Sequence, residues 1–418
     1  MDKITVDGGA RLCGRTDIDG MKNSALPIIY ACLLVEEECI IDNIPRVSDV
    51  ENSLFILRNM GVRADYIAEH TVRIDASGAS GKITDNTPVS KMRASSYLMG
   101  VLLSRFGKVD IAVPGGCNFG ARPIEQHLKS FTSMGAVCSE KDGFVKIRTR
   151  KKLKSGKIVL DKISVGATIN TVLASALTSG VTTIVNTARE PHVLDVINFL
   201  NSCGAKITHR GNEITVCGVK KLHGTFYRIY PDMIEALTYI TCVGAAGGNA
   251  ELCGAEYSHI CGVCNIFSSM GMTIKHSNDT ISVSCSDRLK GADVVTSPYP
   301  LFPTDLHPQF ASLLCFTKSG GSIREEVFSS RFGYVPELRK MGALIKQERN
   351  TVYISASNMH GADVDATDLR AGAALIVAAL GAAGTSTISN VNYIVRGYEN
   401  IVGKISSLGG KIKLIKEK

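Results

Sequence analysis

Apolar and polar positions along this chain recur with a long period. Six amphipathic stretches each close on a similar phrase: LeuArgAsnMetGly ending at Gly61, PheThrSerMetGly at Gly135, LeuAsnSerCysGly at Gly204, PheSerSerMetGly at Gly271, LeuArgLysMetGly at Gly342 and IleSerSerLeuGly at Gly409. Their spacings are 74, 69, 67, 71 and 67 residues. An amphipathic run that stops on glycine predicts a helix whose C-terminus turns through positive φ. After the first five phrases two alternating segments flank a turn, as in AKITHRGNEITV, MTIKHSNDTISV and ALIKQERNTVYI. That alternation predicts β-hairpins with one wet face.

A second pattern precedes each phrase: a charged residue, an apolar helix, usually a glycine, then a β-branched strand. The charged residues are Lys22, Arg93, Lys162, Asp232, Asp305 and Asp368, spaced by 71, 69, 70, 73 and 63 residues. The helices that follow, such as TVLASALTSG and AGAALIVAALGAAG, are apolar nearly all round and must be buried. The hairpins, by contrast, expose every second residue, as in Thr71-Val72-Arg73-Ile74-Asp75. The expected fold is therefore α/β, with helices inside and sheets outside, built from six repeats of about 70 residues. A single core stops growing near about 250–300 residues, so six repeats divide into two groups of three.

Composition narrows the class. With 418 residues, 44% of them hydrophobic and 21% charged, the chain is neither disordered, collagen-like nor a small disulfide-stapled domain. The opening MDKITVDGG reads as neither a signal nor a transit peptide. The apolar runs 236–250 and 371–384 are too short to span a bilayer. The expected address is the cytoplasm. Lys plus Arg exceeds Asp plus Glu by 47 − 39 = 8, a mild excess suited to anionic ligands. Tryptophan is absent and the longest basic run, 148–152, has no interleaved aromatics, which argues against nucleic acid. Cys32, Cys203, Cys242 and Cys315 fall in apolar patterns and read as small core residues. The one CxxC, Cys261 to Cys264, lacks a second pair at zinc spacing.

The charges carry the chemistry. Cations open the first three apolar helices and carboxylates the last three, which suggests an anion-binding cleft between two differently decorated halves. Asp232, Asp305 and Asp368 also suit helix capping, ThrAspLeu at 304–306 and 367–369 above all. Arg370 and Arg396 join Arg122 and Arg331 as loop cations. The segment ProGlyGlyCysAsnPheGlyAlaArgPro, residues 114–123, reads as a mobile loop presenting Cys117 beside Arg122. AlaArg stands where a P-loop needs Lys-Ser/Thr, so a nucleotide P-loop is excluded. A cysteine near cations can donate a proton or act as a nucleophile.

GlyMetLysAsnSerAlaLeuPro at 20–27, LysMetArgAlaSer at 91–95, ProGlyGlyCys at 114–117 and AspLysIleSerValGlyAlaThr at 161–168 resemble the enolpyruvyl transferases, as do PheProThrAsp at 302–305, AlaThrAspLeuArgAla at 366–371 and ArgGlyTyrGlu at 396–399. The Lys-Asn pair, the ProGlyGlyCys loop and LysIleSerValGly favour the sugar-nucleotide branch. The resemblance covers the whole chain. It implies a two-domain inside-out α/β barrel, with residues 1–20 plus 229–418 in one domain and 21–228 in the other. It further implies transfer of enolpyruvyl from phosphoenolpyruvate to the 3′-hydroxyl of UDP-N-acetylglucosamine. Phosphate is released in this first committed step of peptidoglycan synthesis, a step sensitive to fosfomycin.

By the same resemblance Lys22, Arg122, Arg370 and Arg396 hold phosphoenolpyruvate, because a compact polyanion needs several cations and arginine forks suit its carboxylate and phosphate. Cys117 is the proton donor, Asp305 the base on the sugar hydroxyl, and Asp368 a second participant. Arg93, the run Arg122, Pro123, Ile124, Glu125, Gln126 and the run Lys162, Ile163, Ser164, Val165, Gly166 meet the nucleotide. Asn23 and Val327 touch the sugar. No metal or organic cofactor is implied; the partners are the two small substrates, and a monomer is expected. Nucleotide binding, closure and folding of the Cys117 loop over the second substrate would follow in that order.

The chain departs from the family pattern at Met233, Leu237, Tyr97, Glu125 and Val395, where arginine, glycine, tryptophan, aspartate and aspartate are usual. Met233 motivates a second reading, a weakly active paralogue that senses the sugar nucleotide. A third is an enolpyruvyl transferase for another acceptor such as shikimate 3-phosphate.

Overall fold

A computed structural model describes residues 2–115 and 124–416. Its chain divides into two compact units, Met1–Asp19 with Pro231–Lys418, and Gly20–Tyr230. Both are mixed α/β. Among the described residues there are six small sheets, five of four strands and one of three. No helix among them is long and apolar enough to cross a membrane.

In the unit Gly20–Tyr230 the apolar helices Lys22–Ala31, Tyr97–Phe106 and Val165–Ser175 are buried, and Tyr97–Phe106 packs on the other two. Close approach requires small residues at the crossing. A Cβ on Gly100 would lie 2.5 Å from the carbonyl oxygen of Asn170, and Ser104 Oγ donates to the carbonyl of Ala174. The unit also holds three sheets, whose hairpin strands bury alternate residues, as Thr71–Asp75 buries Val72 and Ile74.

The unit completed by the chain start has the buried helices Met233–Ala246, His307–Cys315 and Leu369–Gly381. There Ser312 Oγ donates to Ala374 O at 2.7 Å. Its three sheets include two strands from the chain start. Leu12–Asp17 runs parallel to Gly248–Cys253. Lys3–Asp7 lies between Thr385–Ser389 and Lys411–Ile415, antiparallel to both. The sixth phrase is thus followed by a single strand, Lys411–Ile415, and the first strand of the chain supplies its antiparallel neighbour. All six phrase glycines adopt positive φ, from 84° at Gly409 to 114° at Gly271, as a helix end that reverses the chain demands.

Each unit is tied at the point where the chain enters it. Met21 N donates to Tyr230 O, and Asp232 N to Asp19 O. Beside the second tie a buried cluster forms: Lys404 Nζ lies 2.5 Å from Asp19 Oδ2 and 2.8 Å from Glu235 Oε1. Tyr239 Oη donates to the same Glu235 oxygen, and Asp19 N to the other. Burial, with the Asp19 charge adding to it and Lys404 opposing, pushes the Glu235 carboxyl up to about 7. A carboxyl raised in the folded state binds more protons there than when unfolded, so its contribution is complete below its ordinary value near 4.5 and is lost as pH rises through 7. Between pH 5 and 8 the protein should lose on the order of 2–3 kcal/mol more stability than its Glu235→Gln variant. Urea unfolding of both at several pH values checks this; parallel curves would disprove it.

Candidate functional site

Within Gly20–Tyr230, Lys22 opens its helix and its Nζ lies 2.7 Å from Asp49 Oδ2, with both side chains nearly buried. Asn23 beside it is partly exposed. Arg93 opens the 3-10 turn Arg93–Ser96, ahead of helix Tyr97–Phe106. Burial lowers its pKa.

Two further segments converge. Ile124 precedes helix Glu125–Ser133. Gln126 Oε1 accepts from the backbone N–H of Asp161, and Lys129 pairs with the Asp161 carboxylate, so the start of that helix is fastened to the segment carrying Lys162. Lys162 is exposed, whereas Ile163, Val165 and Gly166 are partly buried. Ser164 caps helix Val165–Ser175 by accepting from Ala167 N, which leaves other first-turn N–H groups available to an anion.

Beneath them lies Asn170. Its Oδ1 accepts from Gly100 N at 2.8 Å, which fixes the orientation of the amide. Its Nδ2 then donates to His127 Nδ1 at 2.9 Å and to Gly166 O at 3.2 Å. His127 must therefore carry its hydrogen on Nε2. Burial, followed by the charge of Arg93, holds its pKa down to about 3, so the ring is neutral. A Cβ at Gly166 would meet His127 Cε1 at 2.9 Å, so only glycine fits there. The helix that follows Arg93 and the helix that carries Gln126 are thus keyed to one asparagine on the helix that Ser164 caps.

In the other unit Asp232 and Asp368 do cap helices. Asp232 Oδ1 accepts from Ile234 N and Glu235 N, Asp368 Oδ1 from Arg370 N and Ala371 N. Asp305 does not. It sits inside the 3-10 turn Thr304–Leu306, and its carboxylate faces two guanidiniums instead. Arg331 Nη1 donates to Oδ1 at 2.6 Å and Arg370 Nη2 to Oδ2 at 2.9 Å. A quarter of the Asp305 side chain is exposed, while both arginines are almost fully buried. Burial works against the charge, but Arg370 and Arg331 outweigh it and hold the carboxyl far below the usual carboxylate range. Arg370 also donates to Tyr398 Oη at 3.1 Å, and that hydroxyl meets Thr238 Oγ1 and Gln309 Nε2.

Arg396 ends the 3-10 segment Val391–Arg396 and is partly exposed, beside exposed Val395. Val327 is exposed in the loop after strand Gly321–Arg324. Met233 begins its helix nearly buried and Leu237 is wholly buried in the core. Tyr97 begins helix Tyr97–Phe106. Cys117, Arg122 and Pro123 lie outside the described residues. Among the described residues, no group of three or more His, Cys, Asp or Glu side chains is placed to hold a metal ion.

The structure therefore brings Arg93, Glu125–Gln126 and Lys162–Gly166 together in one unit. In the other it gathers Asp305, Arg331, Arg370 and Tyr398. The sequence did not reveal Asn170 or His127, since their partners come from distant segments and no local spacing marks them.

Comparison with known proteins gives a consistent picture. Residues 6–405 match the family model of EPSP synthase (3-phosphoshikimate 1-carboxyvinyltransferase). UDP-N-acetylglucosamine 1-carboxyvinyltransferase 3 of Caldanaerobacter subterraneus is 40% identical, over 100% of both chains. UDP-N-acetylglucosamine 1-carboxyvinyltransferase 2 of Clostridium acetobutylicum is 41% identical over 99% of both. Among solved structures, the enolpyruvyl transferase NikO from Streptomyces tendae superposes with a TM-score of 0.90 at 26% identity, covering 100% of this chain and 99% of that one. EPSP synthase from Acinetobacter baumannii shares the fold, with a TM-score of 0.78 at 19% identity and full coverage of both chains.

Proposed function

The chain belongs to the EPSP synthase family of enolpyruvyl transferases, and from that premise we propose how its residues carry out the transfer. The activity is that of a UDP-N-acetylglucosamine 1-carboxyvinyltransferase: enolpyruvyl passes from phosphoenolpyruvate to the sugar nucleotide, a step of peptidoglycan precursor synthesis. The observation that carries it is full-length identity of 40% to relatives of that name.

The assignment of roles is ours. Lys22, Arg122, Arg370 and Arg396 hold phosphoenolpyruvate through its carboxylate and phosphate. Cys117 delivers a proton to the methylene carbon; a thiol with an ordinary pKa near ~8.5 is mostly protonated at neutral pH and can do so. The 3′-hydroxyl oxygen bonds to the adjacent carbon, and Asp305 takes the hydroxyl proton, with Asp368 contributing. The protonated carbon is now a methyl group; return of one of its protons to the Cys117 thiolate, with expulsion of phosphate, restores the double bond. Arg93, Pro123, Ile124, Glu125, Gln126, Lys162, Ile163, Ser164, Val165 and Gly166 hold the nucleotide, and Asn23 and Val327 the sugar. The joining of His127, next to Gln126, and Gly166 through Asn170, with the Arg93 charge acting on His127, supports the nucleotide assignment. The gathering of Arg331, Arg370 and Tyr398 on Asp305 supports an anion-handling centre. The same proposal reads the chain as two inside-out α/β barrels of three repeats each, residues 1–20 plus 229–418 and 21–228, working in the cytoplasm. The buried helices within each unit support it.

One assay tests the reading. Purified protein should release phosphate from phosphoenolpyruvate only when UDP-N-acetylglucosamine is present, and Cys117→Ala should abolish that release. Nucleotide binding without turnover would favour the sensing paralogue that Met233 suggests. Turnover with shikimate 3-phosphate alone would move the chain to the sister activity.

A further inference from the structure

Strand Gly321–Arg324 ends one residue before a buried carboxylate, Glu325, that is 1% exposed. Its Oε1 accepts from Thr296 Oγ1 at 2.8 Å, Val327 N at 2.9 Å and Phe328 N at 2.8 Å. Its Oε2 accepts from Thr304 Oγ1 at 2.9 Å and meets His307 Nδ1 at 2.8 Å. Thr296 Oγ1 in turn accepts from Glu326 N at 2.9 Å. Three successive amides of the 326–328 loop are thereby aimed at one carboxylate, directly or through a threonine. The residues on its other oxygen, Thr304 and His307, flank Asp305 in sequence.

The protonation pattern follows from the donors. The hydroxyl and amide donors leave Glu325 no place for a proton, so His307 carries its hydrogen on Nδ1 and accepts from Tyr334 Oη at Nε2, 2.8 Å away. Burial, reinforced by Arg331, keeps that histidine neutral against the pull of Glu325. Burial also opposes the Glu325 charge, yet the hydrogen bonds from His307, Phe328 N and Thr296 prevail and hold the carboxyl below its ordinary value. A buried anion satisfied on both oxygens is costly to disturb, and it fixes whatever donates to it.

We propose that Glu325 is a positioning residue with two separable outputs: through Thr304 and His307 it sets the Asp305 turn that serves turnover, and through Thr296 and the 326–328 amides it sets the Val327 loop that serves the sugar nucleotide. The inference rests on the roles given above to Asp305 and Val327. Because the outputs leave by different oxygens, they separate kinetically. Thr304→Val removes the donor on the Asp305 side and lowers kcat about tenfold or more with both KM values within twofold. Thr296→Val loosens the loop and raises the KM for UDP-N-acetylglucosamine about tenfold, with kcat and the KM for phosphoenolpyruvate within twofold. Glu325→Gln does both, and the serine variants at 296 and 304, which keep the hydroxyl, restore wild-type values.

Steady-state kinetics of these full-length variants, each checked for an unchanged unfolding midpoint, is the test. Hydrogen exchange at the Glu326, Val327 and Phe328 amides gives a readout independent of activity. Faster exchange at those three amides in Thr296→Val but not in Thr304→Val supports the proposal. Kinetic constants within twofold of wild type in both valine variants would overturn it. If wild-type protein releases no phosphate, the functional reading fails rather than this one, and unchanged exchange in Thr296→Val then overturns the hub by itself.

Discussion

Asparagine in place of Asp305 is expected to cut enolpyruvyl transfer about a thousandfold while phosphoenolpyruvate binding is kept or tightened. The first effect is the loss of the base proposed for the sugar hydroxyl. The second follows from Arg331 and Arg370, whose Nη1 and Nη2 are now spent on the two Asp305 oxygens. Asparagine keeps a single acceptor oxygen, so one guanidinium loses its partner while both keep their charge, which favours an incoming anion. The clamp also poses a chemical problem, since a carboxylate held so far below its usual range is a poor base. Drawing Arg370 onto the phosphate or carboxylate of the substrate would release Oδ2 and raise its basicity, so anion binding and arming of the base become one event. Single-turnover phosphate release and calorimetric titration with phosphoenolpyruvate check both halves. Turnover within tenfold of wild type, or loss of phosphoenolpyruvate binding, would contradict the account.

Leucine at position 170 should destabilise the unit Gly20–Tyr230 by about 3 kcal/mol, because it strands the Gly100 N–H and the His127 Nδ1 in a buried place. For a domain of this size that is a fall in unfolding midpoint of about 6–12 °C. The same change unfastens the helix that follows Arg93 and the helix that carries Gln126 from the one that Ser164 caps, so nucleotide affinity should fall with it. Differential scanning calorimetry and titration with UDP-N-acetylglucosamine measure the two. A midpoint within 2 °C of wild type would mean that water or a neighbour replaces the amide, and that Asn170 is not the key it resembles.

Those residues mark where sequence reading stops. Faces buried with a regular period leave a regular trace, so the glycine-ended helices at Gly61 through Gly409 and the five hairpins were legible before any coordinate. The helices that open on Lys22, Asp232 and Asp368 were legible too, because caps and charges act on neighbours in sequence. Asp305 reads like Asp368 in a ThrAspLeu triplet, yet one caps a helix and the other grips two arginines. The difference comes from the 3-10 turn and from side chains 26 and 65 residues away, which no local pattern encodes. Glu325 and Asn170 are hidden for the same reason: each is a polar residue whose partners arrive from several separate elements. Family resemblance supplied the roles of Cys117 and Arg122, and these lie outside the described residues.

The placement of strand Lys3–Asp7 between Thr385–Ser389 and Lys411–Ile415 governs how the polypeptide matures on the ribosome. Everything needed by Gly20–Tyr230 is translated in one contiguous block, so that half can fold while the rest is still being made. Strand Lys3–Asp7, with Ile4 and Val6 destined for burial, must wait until Lys411–Ile415 leaves the exit tunnel. At about 5–20 residues per second that wait is roughly 20–80 s, a window in which a nascent apolar tail is open to chaperones and to its neighbours on the same messenger.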